Sequence, residues 1–132
     1  MSAPITVVAA VIEKDGRILI CQRRRGDRFE LQWEFPGGKV QAGETPQQAL
    51  VRELREELGV SAQIGGEMYR TRHRYPELDR ELELLFFAAT LGPEPLMNLA
   101  FEQVVWAERA RLTDSDFLPA DRELVFRLSR SR

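Results

Sequence analysis

Cysteine and histidine are almost missing from this chain, with one of each in 132 residues. A lone cysteine, Cys21, cannot close an internal disulfide, so a reducing compartment is compatible. Its place in a strand-like run makes it a packing residue. The lone histidine, His73, stands between two arginines in another strand-like run, the setting of a surface residue. Charge of one sign is lacking too. Nineteen Lys and Arg against 21 Asp and Glu leave a formal net charge of −2, which argues against bulk electrostatic binding of nucleic acid. An anionic substrate must then be met locally, by a metal ion or a few arginines. No basic region precedes the first apolar stretch, and that stretch is too short to cross a membrane. There is no repeat, no low-complexity tract and no long linker. These absences lead to the expectation of a cytoplasmic protein, a monomer or homodimer, built as a single domain over residues 1–132 with one full core.

What is present centres on Gly38 to Val60, GKVQAGETPQQALVRELREELGV. Both ends of a helix are written into it. Thr45 is an N-cap, Pro46 suits the first helical position, and Gln48 completes a capping box. Gly59 supplies a left-handed stop after Leu58. Leu50, Val51, Leu54 and Leu58 recur at helical spacing and form the packing face. Arg52, Glu53, Glu56 and Glu57 lie off that stripe, and the three glutamates are expected to project to one side. Like charges so spaced repel; a divalent cation would turn the repulsion into affinity. Read alone, the glutamates also fit a solvated helix face, with Arg52 pairing to Glu56. Gly37, Gly38 and Gly43 shift the balance, because a glycine-rich loop ahead of the helix lets backbone approach a ligand or metal. Glycine loop, helix N-terminus and carboxylate cluster together describe a site for a metal-bound polyphosphate.

The segment resembles the signature of Nudix hydrolases: a glycine, five residues, a glutamate, seven residues, then Arg-Glu-apolar-x-Glu-Glu-x-Gly-apolar. Gly38, Glu44, Arg52, Glu53, Leu54, Glu56, Glu57, Gly59 and Val60 meet every specified position. The stretch Glu34-Phe35-Pro36-Gly37-Gly38-Lys39 is similar to the approach found in MutT-type members, which cleave nucleoside triphosphates.

The remaining chain agrees with such a fold. Ile5 to Ile12 and Arg17 to Gln22 read as strands joined by a hairpin at Asp15-Gly16. The Arg23-Arg24-Arg25 run is either a solvent-facing strand end or, through Arg23, a contact to the nucleotide. Gly26 to Gln32 reads as a flexible polar loop. Ala62 to Tyr75, Leu82 to Leu91 and Phe101 to Ala107 read as strands, Glu108 to Phe117 as a turn or short helix. Pro119 to Arg130 reads as a final helix with Leu124, Val125 and Leu128 facing inward. Alternating strands and two helices imply an α/β sandwich, with a mixed, partly antiparallel sheet between the glutamate-bearing helix and the C-terminal one. The resemblance implies the same Nudix-type α/β/α architecture.

The resemblance also implies roles. Glu53, Glu56 and Glu57 would hold Mg²⁺, with Mn²⁺ as a substitute, and a backbone carbonyl of Gly37 or Gly38 would be a further ligand. Mg²⁺ suits carboxylates combined with substrate phosphates. Arg52 would orient a glutamate through its planar fork, and Glu44 would support the loop. The proton acceptor would be Glu53 or Glu102, the latter also a candidate metal contact from a later loop. The base would lie between the first strand, the strand carrying Tyr75 and the start of the last helix. There Asp121 occupies the place where a MutT-type 8-oxo-dGTP hydrolase carries asparagine, and Arg28 the place of a histidine. An ionised aspartate only accepts hydrogen bonds, so Asp121 would favour bases that offer donors, unless it merely caps its helix. The expected reaction is hydrolysis of a nucleoside triphosphate, oxidised or modified bases included, to the monophosphate and pyrophosphate. A nucleotide sugar or dinucleoside polyphosphate is the alternative substrate class, and a non-catalytic nucleotide-binding module the alternative function.

Overall fold

The computed structural model describes residues 3–131. Its central strand is β1 (Ile5–Lys14), whose residues alternate between two apolar surfaces. Val8, Ala10 and Ile12 face one helix; Ala9 and Val11 face the other. A strand covered on both sides reads as an unbroken apolar run, and this one does. Asp15 and Gly16 turn the chain with φ of 54° and 77°. Two positive values in succession match the right-handed twist of the strands they join. β2 (Arg17–Gln22) returns antiparallel.

The hairpin stays paired only near its turn, at Glu13–Ile18 and Lys14–Arg17. Beyond that, Trp33 to Lys39 fills the gap between the two strands. Its first part, β3 (Trp33–Glu34), pairs with β2. Its last part, β4 (Gly37–Lys39), pairs with β1. On the other edge of β1 runs β6 (Leu82–Leu91) in parallel, with β5 (Ala62–His73) antiparallel outside it. β7 (Gln103–Glu108) closes the far edge against β2. The sheet is therefore mixed and partly antiparallel, as expected.

Helix α1 (Pro46–Leu58) has both ends anticipated: the reciprocal Thr45–Gln48 capping box is formed, and Gly59 stops the helix at φ 67°. Leu50, Leu54 and Leu58 are fully buried against Val8, Ala10, Leu85 and Phe87, each contributing roughly 2 kcal/mol of burial. Val51 is only half-buried, and Ala49 takes its place in the core. Two orphan carbonyls of the last turn are met by the following loop, with Met97 N–H donating to Leu58 and Leu99 N–H to Glu57. No described helix is long and apolar enough to cross a membrane.

The C-terminal segment departs from the expected single helix. Pro119–Asp121 form a 3₁₀ turn, and α2 (Arg122–Arg130) follows. Leu124, Val125 and Leu128 pack against the opposite face of the sheet from α1. Two helices thus flank one sheet. Removing the α1 cap should show how much of this order is local: Thr45→Ala is expected to lower unfolding free energy by about 1 kcal/mol, and Thr45→Ser, which keeps the hydroxyl, to leave it nearly unchanged. Urea denaturation followed by circular dichroism measures both; equal loss in the two variants would mean that the hydroxyl does not cap.

Candidate functional site

Gly37 and Gly38, expected in a loop, lie in β4, paired with Ala9 and Val8 of β1. Their value is close approach. A Cβ at Gly37 would sit 1.9 Å from the Val8 carbonyl oxygen, and one at Gly38 would sit 2.5 Å from the Glu53 carboxyl carbon. The bare backbone lets α1 press its acidic side onto the strand. Glu57 Oε1 accepts from the Gly37 N–H at 3.1 Å. Burial first, then the charges of Glu53 and Glu34, pushes the Glu57 pKa up to about 9.

Arg52 ties the cluster together. Its guanidinium donates to Glu44 at 2.6 and 2.9 Å, to Glu53 at 2.9 Å, and to the Lys39 carbonyl at 3.1 Å. It also reaches Glu56, one turn on, at 3.3 Å. These charge-assisted bonds hold the Glu44 pKa below its usual range, with the Gln41 N–H adding to the effect. Burial raises Glu53, which Arg52 partly offsets. The three helix glutamates lie near one another, Glu53 and Glu56 sharing one guanidinium nitrogen of Arg52, yet each has its own partners. Glu53 is drawn to Arg52 and Gly38, Glu57 to Gly37, and Glu56 is 57% exposed. Among the described residues no three acidic, histidine or cysteine side chains stand pre-arranged as a closed ligand set. The donor set itself, carboxylates beside strand carbonyls, is the all-oxygen chemistry of a hard divalent cation, and the charge crowded around Glu57 is what such an ion would neutralise.

Beside this cluster opens a cavity of about 420 Å³. It brings together Arg23, Arg28, Glu34, Phe35, Gly37, Gly38, Lys39, Glu57, Tyr75 and Asp121 from the expected site. Arg23 pairs with Glu34 at 3.2 Å and donates to the Arg28 carbonyl at 2.7 Å, linking β2, β3 and the intervening loop. Burial raises the Glu34 pKa while Arg23 pulls it down. Pro36 is not in the lining; it is buried, and its carbonyl accepts from the Ala10 N–H. Glu102 is not in the lining either. It is exposed, and its carboxylate accepts from the Arg25 N–H at 3.3 Å, so it braces the loop after β2.

The apolar walls were not anticipated. Ile5 and Val7 of β1, with Phe29, Leu78, Leu82 and Leu118, complete the cavity. Period-two alternation along β1 could have found the first two. Nothing local marks Phe29, whose φ of 58° places it in the left-handed region within a polar loop. Its ring lies 4.8 Å from that of Tyr75.

Asp121 is the one charged residue buried in the core among the described residues, at 3% exposure. It occupies the N-cap position of α2, yet its side chain makes no capping hydrogen bond. Burial, and then the nearby Glu34 charge, raises its pKa well above the usual carboxylate range, against a hydrogen bond from the Phe35 backbone. Burial thus favours the neutral acid over the ionised acceptor expected from the sequence. A neutral acid both donates and accepts.

A family described as the NUDIX domain matches residues 2–128. The chain is 37% identical over 126 residues to an 8-oxo-dGTP diphosphatase of Haemophilus influenzae, covering 94% of this chain and 90% of that protein. It is 39% identical over 122 residues to a CTP pyrophosphohydrolase of Escherichia coli, covering 92% and 88%. The solution structure of the E. coli ORF135 protein superposes with a TM-score of 0.79 at 35% identity, covering 92% of this chain and 86% of that one.

The two glycines should separate folding from activity. Gly38→Ala meets only the movable end of Glu53, so it should unfold close to the parent while losing most nucleotide hydrolysis through a displaced carboxylate. Gly37→Ala meets fixed backbone of β1 and should fail to fold or melt far below the parent. Thermal melts and a pyrophosphate-release assay on both variants test this; full activity in Gly38→Ala would detach Glu53 from the site.

Proposed function

Because the chain belongs to the NUDIX family, whose members generally need a divalent metal, we propose that it is a Mg²⁺-dependent pyrophosphohydrolase, served also by Mn²⁺. Its substrate is a nucleoside triphosphate, which it converts to the monophosphate and pyrophosphate. The observation that carries this reading is one cavity lined both by carboxylates, Glu57 and Glu34 with Glu53 behind Gly38, and by apolar side chains beside the buried Asp121. The chain works as one domain on small nucleotides in the cytoplasm.

Glu53, Glu56 and Glu57, with a Gly37 or Gly38 carbonyl, would hold the metal. When bound, it supplies the positive charge that the phosphates and glutamates lack. Arg23, Arg28 and Lys39 meet the anionic and ribose part of the nucleotide; Arg23 exchanges part of its bond with Glu34 to do so. The oxygen of a water joins one phosphorus, the anhydride P–O bond breaks, and pyrophosphate leaves. The water's proton passes to a carboxylate. Glu53 suits that role better than Glu102, because it lies against Gly38 at the cavity wall and Arg52 fixes its direction. Glu102 acts on the loop after β2.

Asp121 reads the base. As a neutral acid it matches an edge that pairs an acceptor with a donor, such as N3 and the amino group of cytosine. As a carboxylate it matches two adjacent donors, such as the N1–H and amino group of guanine. Mismatch leaves a buried polar group unpaired, at roughly 1–3 kcal/mol, or about tenfold to a hundredfold in kcat/KM.

Two outcomes follow. Glu57→Gln should keep the fold, since the amide oxygen can still accept from the Gly37 N–H, and should lower turnover by orders of magnitude. A folded variant that still turns over within a few-fold of the parent would remove Glu57 from the metal site. The second outcome concerns pH. Asp121 is neutral below its raised pKa and ionises as pH climbs through it, so the kcat/KM ratio of CTP to GTP should fall with rising pH. In Asp121→Asn the amide donates and accepts at every pH, and the trend should vanish. Chromatographic assays of both proteins across neutral pH decide this; parallel trends would mean that the pH dependence arises elsewhere.

A further inference from the structure

The 3₁₀ turn that carries Asp121 has an unusual end. Its N-cap is Leu118, which has no side-chain oxygen, and Asp121 does not cap α2. The backbone N–H groups that open a helix are unmatched unless a cap or water takes them. Here Ala120, only 6% exposed, finds its acceptor across the cavity: its N–H donates to the Tyr75 hydroxyl at 3.0 Å in a buried bond. The turn is also tied from the β3 side, where Leu118 N–H donates to the Trp33 carbonyl at 3.0 Å. Asp121 N–H closes the turn itself by donating to the Leu118 carbonyl at 3.0 Å. Tyr75 therefore supplies, from just beyond the end of β5, the acceptor that the turn's own N-cap, Leu118, lacks.

We infer that Tyr75 is a positioning residue for base selection. Its hydroxyl holds the Pro119–Asp121 turn in place and so fixes where the Asp121 carboxyl, which also accepts from the Phe35 backbone, meets the nucleobase. The tyrosine is 4% exposed, and its ring is clasped between His73 at 4.3 Å and Phe29 at 4.8 Å. That clasp fixes where the hydroxyl stands. The same clasp ties the Gly26–Gln32 loop, through Phe29, to the residue that sets Asp121. Without the hydroxyl, the Ala120 N–H is left unpaired in a closed space, and the turn must shift to find water, taking Asp121 with it. The effect should fall on discrimination between bases and not on the phosphate chemistry. The inference rests on the base-reading role proposed for Asp121.

The test is a cycle of Tyr75→Phe, Asp121→Ala and the double variant, with kcat and KM measured for CTP, GTP, UTP and ATP. Affinity for the matching nucleoside monophosphates is measured by calorimetry. Tyr75→Phe should compress the ratio between the best and worst base by about tenfold, through KM of the favoured base more than through kcat. Adding Tyr75→Phe to Asp121→Ala should change the ratio no further. An equal loss for all bases in Tyr75→Phe, or no loss, would show a structural role only and overturn the inference. So would an unchanged Tyr75→Phe effect in the Asp121→Ala background, because the hydroxyl would then act on the base itself. If Asp121→Ala alone leaves the ranking intact, the base-reading role falls and the inference with it. If the parent cleaves none of the four nucleotides, it is the hydrolase reading that falls, and the calorimetric ranking still decides the role of Tyr75.

Discussion

Everything at the site depends on how closely α1 lies against β4. Two glycines make that possible. At Gly37 the space that a side chain would need is taken by a β1 carbonyl, and at Gly38 by the Glu53 carboxylate. The helix can therefore lay acidic side chains directly on strand backbone. From that contact follow the burial of Glu57, its bond to the Gly37 N–H and its raised pKa. The leucines on the opposite side of α1 hold the helix there, and the capping box and Gly59 set where it begins and stops.

This arrangement works against stability. Burying Glu57 near Glu53 and Glu34 makes its ionisation costly, which is why its pKa rises. Arg52 offsets part of the strain, since its planar fork reaches three glutamates and a strand carbonyl at once, which the ammonium of lysine could not do in that geometry. What remains is a local deficit of positive charge, the condition that favours a divalent cation with phosphate. The core repays the cost elsewhere: fully buried Leu, Ile and Val side chains line both faces of β1 and β2.

The cavity exists because β1 and β2 part company after their hairpin. The segment from Trp33 to Lys39 fills the gap and brings Glu34 and Phe35 into the same space as the glycines. The upper wall comes from the ends of β5 and the 3₁₀ turn, joined by Tyr75 and Ala120. The glutamate-bearing α1 and the turn carrying Asp121 thus reach one cavity from opposite faces of the sheet.

Local signals determined a great deal. The α1 boundaries, the Asp15-Gly16 hairpin, the both-sided burial of β1 and the identity of the acidic cluster were all legible, because each depends on residues within a few positions of one another. Most of the cavity-lining residues were legible as well, through the resemblance. Tertiary structure alone decided the rest. Gly37 and Gly38 proved to be strand residues, because their reason for being glycine lies in β1 and α1, outside their own stretch. Phe29 joined the cavity from a loop whose composition is polar, and Glu102 turned to the Arg25 backbone instead of the glutamates. The upward shift of the Asp121 pKa was also out of reach, since it is set by burial and by the Glu34 charge on β3, far away in sequence.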